Sequence, residues 1–177
     1  MSIRPKKPPA VLIIFGGLPA TGKTTLARGV AGALGATFVR IDSIEHVIRA
    51  DRAVEDLGYR VAYALAEDNL RLGQSVVADS VNPISLTREA WFHVAERTSA
   101  CPVAIEVICS DQEEHRRRLE QRTADIPEPK VSWEDVVSRE YDGWTSERLL
   151  VDTAAQSIEE NVRQILEHVG ACSVRRE

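Results

Sequence analysis

The stretch Gly17-Leu18-Pro19-Ala20-Thr21-Gly22-Lys23-Thr24-Thr25 carries the first recognisable chemistry in the sequence. Its fixed residues, Gly17-x-x-x-x-Gly22-Lys23-Thr24, follow an apolar run from Val11 to Phe15 and precede a helix-like segment. Strand, glycine-rich turn and helix N-terminus, in that order, make up a phosphate-binding loop. Glycines let main-chain N–H groups turn inward around a phosphate chain where a Cβ would clash. A helix opening at Thr24 adds unpaired N–H donors and the positive end of its dipole. Lys23 is expected to reach the β- and γ-phosphates, and the Thr24 hydroxyl to ligate Mg²⁺. All four fixed residues are present behind a strand of the right length, which separates this stretch from a plain glycine-rich turn. The loop is expected to bind a nucleoside triphosphate.

Two carboxylates follow other short apolar runs. Asp42 comes directly after Thr37–Ile41. Phosphoryl transfer to an alcohol needs an acceptor hydroxyl that is oriented and relieved of its proton, and a carboxylate beside the loop can do both. The plainer use of an Asp there is as a helix N-cap. Asp79 ends Val76-Val77-Ala78, a position suited to holding Mg²⁺ through water, with a turn-forming Asp as the plainer use. Asn82, before Pro83, reads as a turn residue able to join a polar network. The segment 112–123 has Leu119 as its one strongly apolar residue, so it is not simply a core helix. Arg118 and Arg122, four apart, share a helix face and are expected to close over triphosphate oxygens. Glu114 and Glu113 are equally placed to pair with Arg118 and Arg117, as on any solvated helix. His115, Arg116 and Arg117 are assigned to solvent, and Arg139 is a further candidate for the lid. Trp91 is expected in the core, and Trp133 and Trp144 are expected to pack rather than line an acceptor pocket. His46, His93 and His168 have no metal-like partners at suitable spacing.

Positioning these groups takes alternating strands and helices. A helix over 24–34 places Leu26, Val30 and Leu34 on one face and stops at Gly35. After the strand Thr37–Ile41, Ser43 is expected to cap a helix running to Ala53. Past Gly58, Val61, Leu65 and Leu72 mark the expected packed face of the next helix, with Gly73 as its stop. Ser75–Ala78 is the third strand, and Ser85 opens a helix through Arg97. Pro102–Cys109 is the fourth strand, and Ser110-Asp111 caps the polar helix. After a Pro-broken excursion over 124–131, Ser132 and Asp135 resemble a capping box that starts a short helix towards Tyr141. Arg148–Asp152 is the fifth strand. Ser157 and Glu160 open the last helix, with Ile158, Val162, Ile165 and Val169 as its packed face. This alternation predicts an α/β fold with a parallel sheet covered on both sides. Ligands of such sheets sit at the strands' carboxyl ends, so Gly17, Asp42, Asp79, Ser110 and Asp152 are expected to feed one cleft.

The 177 residues suit one domain, and 44% hydrophobic with 28% charged residues is ordinary for a globular protein. The apolar runs are too short to span a bilayer. Residues 1–9 read as a basic, Pro-rich disordered leader, with 10–177 as the folded domain and 110–140 as its lid. Net charge is −5, and setting aside Arg4, Lys6 and Lys7 of the leader leaves about −8 on the body. A body that acidic suits tracking a nucleic-acid backbone poorly. Three cysteines without metal-ligand spacing are expected to be free thiols in a reducing cytoplasm.

The combination resembles the small P-loop kinases, particularly the AAA_33-type branch that includes polynucleotide 5′-hydroxyl kinase domains and antibiotic O-phosphotransferases. The likeness runs from Val11 to Asp152. It rests on the phosphate loop, on Val39-Arg40-Ile41-Asp42-Ser43, on Asp79-Ser80-Val81-Asn82-Pro83 followed by Arg88-Glu89-Ala90-Trp91, and on Arg118-x-x-x-Arg122. The resemblance implies a P-loop three-layer sandwich with a five-stranded parallel sheet in the order 2-3-1-4-5 and a small helical lid. It also implies ATP and Mg²⁺ as cofactors and transfer of the γ-phosphoryl group to a hydroxyl. Asp42 then matches the base for the acceptor hydroxyl, Asp79 the strand-three carboxylate, and Arg118 or Arg122 the lid arginine. The polynucleotide kinases carry an Arg three residues after the base, where this chain has Glu45. That departure, with the acidic body, turns the expectation from a polynucleotide towards a small-molecule acceptor. A nucleoside monophosphate kinase would need a second phosphate site, for which Arg49, Arg52 and Arg60 are candidates. A non-enzymatic ATP-binding switch is the remaining alternative.

Overall fold

The computed structural model describes residues 9–51, 53–123, 125–126 and 131–174. Residues 1–8 of the expected leader, Arg52, and most of the excursion at 124–131 lie outside them. The chain runs β1 (Val11–Gly16), α1 (Lys23–Leu34), β2 (Thr37–Arg40), α2 (Ile41–Arg49), α3 (Leu57–Arg71), β3 (Val76–Asp79), α4 (Ser85–Thr98), β4 (Cys101–Ile108), α5 (Gln112–Gln121), α6 (Trp133–Val137), β5 (Leu149–Asp152) and α7 (Ile158–Val174). The five strands form one sheet in the order β2-β3-β1-β4-β5, every neighbouring pair parallel.

β1 is buried along its whole length. A central strand covered on both faces has no solvent side, so an unbroken apolar run is its signature. Val11, Ile13 and Phe15 point into one core with Leu26, Ala27 and Val30 of α1 and Ile165 and Val169 of α7. Leu12 and Ile14 point into the other, with Ala62, Ala66 and Leu70 of α3 and Trp91 and Val94 of α4. Phe15 pairs with Asp79 across the β1–β3 ladder, which delivers that carboxylate to the strand ends beside the glycine loop.

Several local expectations change. The packed face of α3 is Gly58, Ala62, Ala66 and Leu70, while Val61, Leu65 and Leu72 are exposed. Both sets share a helical spacing, and α3 approaches the sheet closely enough that small residues, not large ones, face it. Ile158 is exposed for a simpler reason: it is the first residue of α7, one turn before the helix meets the sheet. α2 begins at Ile41 with Arg40 as N-cap and no side-chain cap bond, so Asp42 lies in its first turn and Ser43 is not the cap. The capping boxes of α6 and α7 form as expected, Ser132 with Asp135 and Ser157 with Glu160. Cys101 and Cys172 are disulfide-bonded, so the expectation of three free thiols holds only for buried Cys109. The last turns of α7 lie over the start of β4, with the two Cα atoms 6.6 Å apart, within reach of a bridge.

Candidate active site

The glycine loop spans from the end of β1 to the start of α1, and its shape depends on missing side chains. Gly17 has φ +138°, and a Cβ there would lie 2.1 Å from the Val107 carbonyl oxygen on β4. Its N–H donates to the Val81 carbonyl at 3.0 Å, tying the loop to the strand that carries Asp79. Gly22, the N-cap of α1, is left-handed at φ 95°. The Thr21 hydroxyl donates to the Leu18 carbonyl at 2.9 Å, and the Lys23 ammonium donates to the same carbonyl at 2.8 Å. Leu18 and Thr21 thus brace the loop from within. Pro19, Ala20, Gly22, Lys23, Thr24 and Thr25 line a cavity of about 740 Å³ at the carboxyl end of the sheet.

Lys23 is almost fully buried, and burial lowers its pKa against the opposing pull of Asp79 and Asp42. Arg122 and Arg139 lower it further, and both line the same cavity. Asp79 is 2% exposed, and burial raises its pKa against the attraction of Lys23 and a hydrogen bond with the Thr24 side chain. Its Oδ2 has no hydrogen-bond partner. A buried, orphaned carboxylate oxygen beside a hydroxyl is an all-oxygen donor pair of the kind Mg²⁺ prefers. Among the described residues no group of three or more His, Cys, Asp or Glu could hold a metal ion.

Asp42 faces the same cavity with its carboxylate partly exposed, 3.6 Å from the Arg40 guanidinium. Around it stand Glu45 and Arg49 of α2, which pair with each other at 3.0 Å, and Tyr59 of α3. Burial pushes the Tyr59 phenol up to about 12, and its oxygen accepts from the Asn82 N–H at 3.2 Å. Val81 and Pro83 complete this wall. Asn82 itself is fully buried in the left-handed region, φ 48°, donating to the Phe15 carbonyl at 2.7 Å and accepting from the Trp91 indole at 3.2 Å. It is a buried clamp between β1 and α4.

Of the candidate lid arginines, all three line the cavity, but differently from a single helical face. α5 ends at Gln121, and Arg122 is its C-cap in extended backbone. Arg118 donates to Glu114 at 2.7 Å and to the Thr153 hydroxyl and carbonyl at 2.8 and 3.1 Å. Thr153 in turn donates to the Thr21 carbonyl at 2.8 Å, so Arg118 braces the loop through the end of β5. Arg139, just past α6, makes no hydrogen bond among the described residues.

Ser110 and Asp152 do not join the cavity. The Asp152 carboxylate accepts from the Ser110 and Ala154 N–H groups and serves as a local cap. Trp144 packs against Gly16 and under the buried Arg88, and Trp133 against His115.

His115 overturns its assignment to solvent. It is 6% exposed, covered by the Trp133 ring, and its Nε2 donates to the Pro19 carbonyl at 2.7 Å. The strongly polar neighbours of His115 along the chain gave no signal of a tryptophan arriving from α6 to cover it. Arg40 and Tyr59 were missed for a related reason, since nothing in their local sequence reports that a cavity wall forms around them.

A parallel sheet in this order, with a Gly-x-x-x-x-Gly-Lys-Thr loop leading into α1, is the P-loop kinase fold. The chain belongs to the AAA_33 family, described as an AAA domain, which matches residues 12–139. Solved structures share the fold. The Mycobacterium tuberculosis APS kinase CysC in complex with AMPPNP and APS is 18% identical, with 91% of this chain and 98% of that chain covered and a TM-score of 0.70. Chaetomium thermophilum Kti12 in complex with ADP-AlF3 is 24% identical over 91% of this chain and 98% of that chain, with a TM-score of 0.69. A gluconokinase from Sinorhizobium meliloti 1021 is 18% identical over 96% of this chain and 97% of that chain, with a TM-score of 0.68. No curated protein matches the chain. No described helix is long and apolar enough to cross a membrane.

Proposed function

We propose that the protein is an ATP- and Mg²⁺-dependent kinase that transfers the γ-phosphoryl group to a hydroxyl of a small molecule. The observation that carries this reading is one cavity bounded on one side by the Gly17–Thr25 loop and on the other by Asp42, a carboxylate free enough of burial to meet an acceptor. Main-chain groups of the loop would hold the phosphates, with Lys23 and the arginines Arg122 and Arg139 balancing charge that develops on the transferred group. Arg118, through Thr153, keeps the loop in shape. Thr24 and Asp79 would hold Mg²⁺, which supplies charge neutralisation between the phosphates. Asp42 would accept the hydroxyl proton while Tyr59, Val81 and Pro83 confine the acceptor. Positioning and charge stabilisation would supply most of the rate enhancement.

The APS kinase and the gluconokinase among the fold neighbours support this reading, and the APS kinase was solved with AMPPNP and APS and Kti12 with ADP-AlF3. Two observations weigh against the alternative acceptors. Glu45, in the position where the polynucleotide kinases carry a basic residue, lies on the acceptor wall. Of the candidates for a second phosphate site, Arg49 lines the cavity already paired with Glu45 at 3.0 Å, and Arg60 is exposed, off the cavity wall and 3.7 Å from Asp56.

The test is a screen of small alcohols with Mg·ATP, scored by ADP release and a mass gain of one phosphate on the acceptor, run beside Asp42→Asn. The reading expects transfer that falls by about 10²–10⁴-fold in the variant, the range of general-base catalysis, with Mg·ATP affinity unchanged. Transfer at the parental rate by Asp42→Asn would remove Asp42 as the base, and a switch would keep its output in that variant.

A further inference from the structure

We propose that Arg28 and Arg40 form a subsite for an anionic group on the acceptor, and that Asp125 fills that subsite in this structure as an internal substitute. The inference rests on the reading of the cavity as a kinase site and narrows its acceptor to a small alcohol bearing a carboxylate or a phosphate.

Arg40 stands at the end of β2 with its side chain 3% exposed, yet on the cavity wall. Its Nη1 donates to both carboxylate oxygens of Asp125, at 2.9 and 3.0 Å, and Arg28 of α1 donates to Oδ2 of the same group. Two guanidinium groups from two core elements therefore converge on one planar pair of oxygens. Carboxylates and phosphates present that oxygen pair equally well, and paired arginines are suited to both. Asp125 reaches them from the lid segment, 85 and 97 residues away in sequence, and remains half exposed, so an incoming anion can take its place. Arg40 is held on its other side by Asp42 at 3.6 Å and Asp79 at 3.9 Å, which keeps the guanidinium in position when Asp125 leaves.

The cavity wall carries seven cationic side chains against three carboxylates, in a chain whose net charge is −5. Arg118 is paired with Glu114 and Arg49 with Glu45, while Arg28 and Arg40 meet on Asp125. Because Arg40 touches Asp42, an anion on Arg40 lies within a few bonds of a hydroxyl on Asp42. A short hydroxy acid or a small phosphorylated alcohol meets that spacing.

The experiment titrates two probes, malonate for the carboxylate arm and inorganic phosphate for the phosphate arm, by calorimetry into the full-length protein. Each is run with and without saturating Mg·AMPPNP, which keeps phosphate off the glycine loop. Removing the internal competitor in Asp125→Ala is expected to tighten binding of at least one probe about tenfold, the worth of an exposed charge-assisted contact. Arg28→Ala added to Asp125→Ala is expected to cancel the gain. Arg28 is used because Arg40, buried between Asp42 and Asp79, is the less safe position for folding. A gain for malonate alone assigns a carboxylate acceptor, and a gain for phosphate alone a phosphorylated one. Unchanged or weaker binding of both probes by Asp125→Ala would overturn the proposal and leave Asp125 as a structural tie. The malonate titration without nucleotide is independent of turnover. A protein with no kinase activity on any alcohol would therefore contradict the proposed function, while the anion titration would still decide this subsite.

Discussion

The two walls of the cavity are built by different means. On the nucleotide side, the glycine loop takes its shape from backbone conformation and from side chains that are absent, held between the buried strands β1, β3 and β4. On the facing side, Arg28, Arg40, Asp42, Glu45, Arg49 and Asp125 define the wall through charged side chains paired with one another, within α2 and across elements. Backbone geometry tolerates almost no substitution, whereas a network of side chains can be rewired residue by residue. The contrast separates a loop fixed by the fold from a wall that single substitutions can change.

The largest break in that contrast should come from Gly17→Ala. Its Cβ would collide with the Val107 carbonyl at a φ that L-residues rarely adopt. Loss of about 3 kcal/mol or more of stability, or failure to fold, is expected in chemical denaturation. A variant that melts like the parent would mean that the loop is not shaped as described. Substitutions across the cavity, such as Arg49→Ala, should instead leave the melting transition within a few degrees.

Next in size is the pH response of Asp79. Its folded-state pKa is raised by burial above the ordinary 3.8, so its contribution to stability is fully present below that value and is lost as pH rises through the raised one. Without metal, the parent should lose stability over that window and Asp79→Asn should not. Added Mg²⁺ with nucleotide should offset the loss in the parent alone, as read by thermal melts at stepped pH. Identical pH profiles for the two proteins would contradict the burial argument.

Smaller again is His115→Ala. Removing the donor to the Pro19 carbonyl loosens one point of the loop without touching Asp42. A rise of about tenfold or less in KM for ATP is expected, with kcat nearly constant, and partial rescue by His115→Gln. A fall in kcat with KM unchanged would place His115 on the other side of the comparison.

The same division explains what the sequence disclosed. The strand order came through resemblance, and strands and helices were legible because a buried parallel sheet writes itself as short apolar runs between helical segments. Gly17, Gly22, Lys23, Thr24, Asp42 and Asp79 were legible because they sit at strand ends or in a motif of fixed spacing. His115, Arg40 and Tyr59 were not, because each is defined by a partner 20 or more residues away (Pro19, Asp125 and Asn82). The packed face of α3 was misjudged because periodicity weighs large residues, while close helix–sheet approach selects Ala62 and Ala66. The bridge between Cys101 and Cys172 spans 71 residues and leaves no local trace.

Triphosphate binding by the glycine loop is tested by titration calorimetry of Mg·ATP into the parent protein and into Lys23→Met. Saturable one-site binding is expected that requires Mg²⁺ and weakens about tenfold or more when the buried ammonium is removed. Absence of binding heat in the parent, or equal affinity in Lys23→Met, would contradict it.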